Sequence, residues 1–64
     1  MRWTDVYDIA IALEEAHPDT DIIGLSFPKL WQMVLDLEAF DDAPERSNER
    51  VLEAIQGAWL SERD

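Results

Sequence analysis

The sequence predicts a small, mainly α domain: three helices packed as a helix-turn-helix bundle, with one short extended segment as an option between the first two. Three observations point there. Apolar residues recur at helical spacing in three separate runs. Pro18, Pro28 and Pro44 fall between those runs or at their edges, where proline ends or starts a helix. The chain has 64 residues, which allows one core. Hydrophobic residues make up 47% of it, with three Trp, so that core can be filled and the chain is not read as disordered. No repeat, linker or low-complexity tract divides it, and residues 1–64 are read as a single domain.

The first helix starts at a Thr4 cap, with Asp5 in its first turn. Val6, Ile9, Ala10, Leu13 and Ala16 follow at i, i+3, i+4, i+7 and i+10, one apolar stripe of an amphipathic helix. Trp3 precedes the cap, where an apolar residue staples the helix start. Pro18 biases His17 away from helix, so the helix ends near Ala16. Residues 17–27 form a connection that opens in turn chemistry, His17-Pro18-Asp19-Thr20-Asp21. Two options fit the pattern of its end: a helical turn over Ile22-Ile23-Gly24-Leu25 closed by Gly24, or a short extended piece from Leu25 to Phe27.

The second helix is predicted from Pro28 to Leu37, with Pro28 at its first position. Leu30, Trp31, Val34, Leu35 and Leu37 form its apolar face, and Lys29, Gln32 and Asp36 share a polar one. Trp31 is assigned to the core, and Met33 lies between the faces, partly exposed. Ser47 is read as the cap of a third helix from Asn48 to about Ser61. Val51, Leu52, Ile55, Ala58, Trp59 and Glu62 mark one side of it, with Trp59 as core anchor. Arg46 and Arg50 are spaced to meet Glu49 and Glu53.

Charge is the strongest functional signal. Fifteen acidic residues against five basic give a net charge of −10. Nucleic acid and anionic membrane surfaces would repel such a chain, whereas a basic protein surface or a cation would attract it. There is no Cys, so disulfides, thiolate metal sites and Cys nucleophiles are excluded within this chain. No apolar run approaches the roughly 18 residues of a membrane span, and the start is not that of a signal peptide. A cytoplasmic monomer is the expectation.

The acids concentrate in an elbow after the second helix. Asp36, Glu38, Asp41 and Asp42 place four carboxylates within seven residues, with Leu37 and Phe40 among them. The segment is expected to be pinned to the core on one side and charged on the other. All-oxygen donors suit hard divalent cations, Fe²⁺ included. The spacing is not that of an EF-hand, so such a site would be open and weak. The same acids around Phe40 also make a protein-docking rim, which is the stronger reading, and a merely solvated rim is the bland one. Asp19 and Asp21 are turn residues that extend this partner-binding surface if the connection folds beside the elbow. His17, the only His, is read as structural or exposed, because no second His or Cys completes a nucleophile–base pair. Ser26 lacks the Asp that precedes the modified Ser of acyl carrier proteins. A domain of this size has little room for a cleft that would desolvate a carboxylate, so no enzyme is read here.

Taken in order, Trp3-Thr4-Asp5, Pro18-Asp19, Asp36-Leu37-Glu38, Phe40-Asp41-Asp42, Pro44, Ser47-Asn48-Glu49, Leu52-Glu53-Ala54-Ile55 and Trp59-Leu60 resemble the IscX (YfhJ) family. These are small acidic proteins of bacterial iron–sulfur cluster assembly. The resemblance spans nearly the whole chain. It implies a modified winged-helix-like fold, mostly helical. It implies docking on the cysteine desulfurase IscS, a pyridoxal-phosphate enzyme, and regulation of it. It also implies weak ferrous iron binding through Asp36, Glu38, Asp41 and Asp42, with iron donation as a proposed role. Ala39 and Ala43 stand where other members extend the acidic run, which leaves fewer ligands and lowers the expected iron affinity more than the docking. The alternative is a small acidic protein-interaction module with no specific metal role. A winged-helix likeness does not make a DNA reader of a chain this poor in positive charge.

Overall fold

The computed structural model describes all residues 1–64 as three α-helices and one 3-10 turn: α1 (Val6–Ala16), α2 (Phe27–Leu35), the turn Pro44–Arg46, and α3 (Glu49–Arg63). No strand forms. The mainly α, three-helix expectation therefore holds, and the optional extended segment does not. Ile22 to Gly24 makes a tight turn instead. Asp21 Oδ1 accepts the Gly24 N–H at 3.2 Å, and Leu25 N–H donates to Ile22 O at 3.2 Å. A Cβ at Gly24 would lie 2.5 Å from Asp21 Oδ2, so a larger residue there would push the Asp21 carboxylate off its bond to the turn.

The core is assembled from all three helices and two loop residues. Ile9, Ala10 and Leu13 of α1, Leu30, Met33 and Val34 of α2, and Leu52, Ile55 and Trp59 of α3 are buried, joined by Trp3 and Ile22. The helix stripes predicted from spacing supply most of this set, along one face of each helix: i, i+1 and i+4 in α1, i, i+3 and i+4 in α2, and i, i+3 and i+7 in α3. α1 packs chiefly on α3.

Several expectations need correction. Thr4 does not cap α1. The N-cap is Asp5, whose carboxylate bonds the Arg2 N–H at 2.8 Å instead of a helix amide. Ala16 is exposed at the helix end. α2 starts one residue earlier than Pro28, at Phe27, and stops at Leu35, two short of Leu37. Ser26 is its cap, with Oγ accepting from Lys29 N–H at 3.4 Å. Met33 is buried and Trp31 only half-buried, the reverse of their predicted places. The helix is rotated so that the indole of Trp31 reaches a carbonyl outside the core, Pro44 O at 3.1 Å. An indole N–H without an acceptor is costly, which favours this edge position. Asn48, not Ser47, caps α3, with Oδ1 accepting from Val51 N–H at 2.9 Å. Ser47 Oγ donates to Pro44 O instead. Arg46 and Arg50 form no ion pair with Glu49 or Glu53. The ion pair of the fold is Arg63–Glu14, at 2.9 Å.

Candidate functional site

The elbow is built by the end of α2, and the chain's first residues hold it. After Leu35 the backbone closes two successive turns, with Leu37 N–H donating to Val34 O and Phe40 N–H to Leu37 O, both at 3.1 Å. Residues 1–3 then run alongside. Met1 N donates to Ala39 O at 2.7 Å, and Asp41 N–H returns a bond to Met1 O at 2.7 Å. Trp3 adds two more. Its N–H donates to Asp42 Oδ2 at 3.1 Å, and its indole Nε1–H to Ala43 O at 2.9 Å. With Trp31 on Pro44 O, two indoles clamp consecutive carbonyls of the elbow. The Trp3 and Phe40 rings meet edge to face with centroids 4.7 Å apart, a favoured aromatic geometry. Leu37 and Phe40 both pack against the core while staying half-buried.

This geometry divides the four elbow carboxylates. Asp42 is a structural acceptor. Besides Trp3 N–H it bonds its neighbour Ala43 N–H at 2.7 Å. The Trp3 N–H bond, then that of Ala43, with Arg46 and Arg2 nearby, hold its pKa below the ordinary carboxylate value against an opposing effect of burial. Asp36 Oδ1 accepts from Gln32 Nε2 at 2.9 Å, one turn back. It also borders a cavity of about 320 Å³ shared with His17, Thr20, Leu25, Lys29 and Met33. Glu38 and Asp41 are exposed, and their carboxylates accept no hydrogen bond from the protein. Asp19 is exposed in the first connection, and the Asp21 carboxylate is engaged by Gly24 N–H.

The elbow is thus an anchored segment with a charged outer side, as its pattern predicts. It is not a preformed chelate. No three His, Asp or Glu side chains gather closely enough to hold a metal ion. The residues therefore do not fit a resident iron centre as they stand.

A second cluster was not foreseen from the sequence. Glu14 Oε1 accepts both the Trp59 indole N–H at 2.9 Å and Arg63 Nε–H at 3.0 Å. Arg63 also donates to His17 O at 2.9 Å and to Thr20 O, and its guanidinium lies 5.7 Å from the Trp59 ring centroid. The Arg63 bond first and the Trp59 bond second lower the Glu14 pKa. The only hint in the sequence was a lone Arg in the last turn of the third helix, where free carbonyls and the helix dipole favour a cation.

No helix of the protein is long and apolar enough to cross a membrane. The model of the family described as iron–sulphur cluster assembly matches residues 1–64. A protein of Pseudomonas aeruginosa, described only as uncharacterized, is 50% identical over 64 residues, covering 100% of this chain and 97% of its own length. The match over every residue means that the chain belongs to the iron–sulphur cluster assembly family.

Proposed function

We propose that this chain is a cytoplasmic accessory protein that docks, as a monomer, on a cysteine desulfurase of the IscS type and modulates its delivery of sulfur. The observation that carries the reading is the contrast within the elbow. Glu38 and Asp41 stand exposed beside a half-buried Phe40, on a backbone fastened from behind by Met1, Trp3 and Trp31. Such a surface offers a basic partner fixed charges around an apolar contact, at little cost in ordering. The net charge of −10 adds long-range attraction. Asp36, Asp19 and Asp21 extend the surface, whereas Asp42 acts by shaping it.

Ferrous iron enters as weakly held cargo. Glu38 and Asp41 are the carboxylates free to meet it, with water filling the remaining positions. Asp36 joins only by releasing Gln32, and Asp42 only by releasing Trp3. The absence of any three converging ligands favours docking over iron transfer as the main role.

The test is a titration of purified desulfurase with the chain at about 0.05 M and about 0.3 M salt, where screening lengths differ about 2.5-fold. Binding is expected to weaken steeply with salt. The double substitution Glu38→Gln/Asp41→Asn is expected to weaken it about tenfold with no change in fold. Salt-independent binding, or an unaffected double variant, defeats the docking surface. In a parallel NMR titration, Fe²⁺ is expected to perturb Glu38 and Asp41 selectively. Even broadening across every surface acid leaves a docking module without a metal role.

A further inference from the structure

Gly57 sits in the interior of the 15-residue α3, where glycine costs roughly 1 kcal/mol relative to alanine. Nothing in the fold requires it. Its φ is not positive, and a Cβ built there meets no atom within 4 Å. It lines an open groove of about 530 Å³ between α1 and α3, with Ala54, Ala58 and Ser61 on one wall and Thr4 and Tyr7 on the other. The α3 wall is almost without side chains, so another backbone can approach closely. The α1 wall carries apolar surface with no partner: Tyr7 is 78% exposed, and Ile11, one turn on and just outside the groove, is 42% exposed. An exposed aromatic beside a flat small-residue surface is an anchor-and-slot arrangement.

We propose that this groove seats an amphipathic helix of a different protein, one with a narrow apolar ridge and lysine or arginine on its flanks. The rim decides the occupant. Asp8 and Glu15 flank Tyr7 and Ile11 on α1, and Glu53 and Glu62 continue the Gly57 and Ala58 rows of α3, all exposed. Arg50, one turn before Ala54, is the single cation on those rows. A second copy of this chain would bring the same acids together and double a net charge of −10, so self-association is opposed. A basic-flanked helix matches both the slot and the rim. No elbow residue lines this groove, so the surface is additional to the proposed desulfurase dock.

The experiment uses the ¹⁵N-labelled full chain and a synthetic helical peptide about five turns long, with an Ala/Leu ridge and Lys flanks. Amide shifts are expected at Tyr7, Ile11, Ala54, Gly57 and Ala58. Gly57→Gln should fold at least as stably as the parent, because its side chain enters open space, and should bind about tenfold more weakly. Glu38→Gln/Asp41→Asn should change peptide affinity by less than about threefold, which separates this surface from the elbow. The proposal is overturned if Gly57→Gln binds as the parent does. It is equally overturned if a peptide with the same lysines but Ser along its ridge gives the same shifts. Groove shifts that follow the chain's own concentration, without peptide, would assign the slot to a second copy and overturn it too.

Discussion

The carboxylate of Asp42 accepts two backbone N–H groups, from Trp3 and from Ala43, and this makes it different in kind from Glu38 and Asp41, four and one residues away. Removing a carboxylate that satisfies two partly buried donors costs more than removing one that faces water. Asp42→Ala is therefore expected to lower the urea midpoint clearly, and Glu38→Gln to leave it nearly unchanged. The pH dependence follows from the same bonds. Hydrogen bonding from Trp3 lowers the pKa of Asp42, and that from Arg63 lowers the pKa of Glu14. A lowered folded-state pKa contributes stability that is present above the unfolded value, about pH 4, and is lost as pH falls through the folded one. Stability should accordingly decline as the pH drops below about 4. Asp42→Asn and Glu14→Gln should each flatten that decline, measured as the slope of denaturation midpoint against pH.

At the level of the elements, caps decide where helices start, and neighbouring candidates compete. Ser47 and Asn48 are both good caps by type. Asn48 wins because Ser47 is drawn into the 3-10 turn, where its hydroxyl donates to Pro44 O at 3.3 Å. Asn48→Ala should cost about 1 kcal/mol and fray the first turn of α3 by hydrogen exchange, while Ser47→Ala should cost less than half as much. α2 illustrates a second rule. Its predicted face included Leu35 and Leu37, yet the helix ends at Leu35, and the chain turns so that Leu37 and Phe40 reach the core from the elbow. An apolar residue at helical spacing is inside either way. The spacing does not tell whether helix or turn delivers it.

Over the whole molecule, acidity and compactness oppose each other. The chain measures 28 × 21 × 16 Å and carries a net charge of −10. Its one ion pair joins Glu14 to Arg63, and Arg63 also fastens the carbonyls of His17 and Thr20, so α3 is tied to the first connection. Most of the remaining acids find no cation, and their mutual repulsion lowers stability at neutral pH. Raising salt from about 0.02 to about 0.5 M should therefore raise the melting temperature by several degrees, followed by circular dichroism. The same change should weaken the proposed desulfurase dock. Opposite responses of folding and binding to one variable are the signature expected of a surface whose charge is kept for partners.

Three helices, their apolar faces, the turn at Ile22–Gly24 as one of two options, and the concentration of acids after α2 were all legible in the chain, because each depends on neighbours within about one turn. The family resemblance was legible for a similar reason, as an ordered set of residues spanning the chain. Tertiary structure decided the rest. It made Trp3 a clamp and core residue rather than a staple, moved Met33 inward and Trp31 to the edge, and joined Arg63 to Glu14 across 49 positions. It also separated Asp42 and Asp36, held by hydrogen bonds, from Glu38 and Asp41, which are free. Local spacing specifies which face is apolar. Which distant donor each acid or indole finds depends on how those faces are stacked, and no pattern within a single turn contains that information.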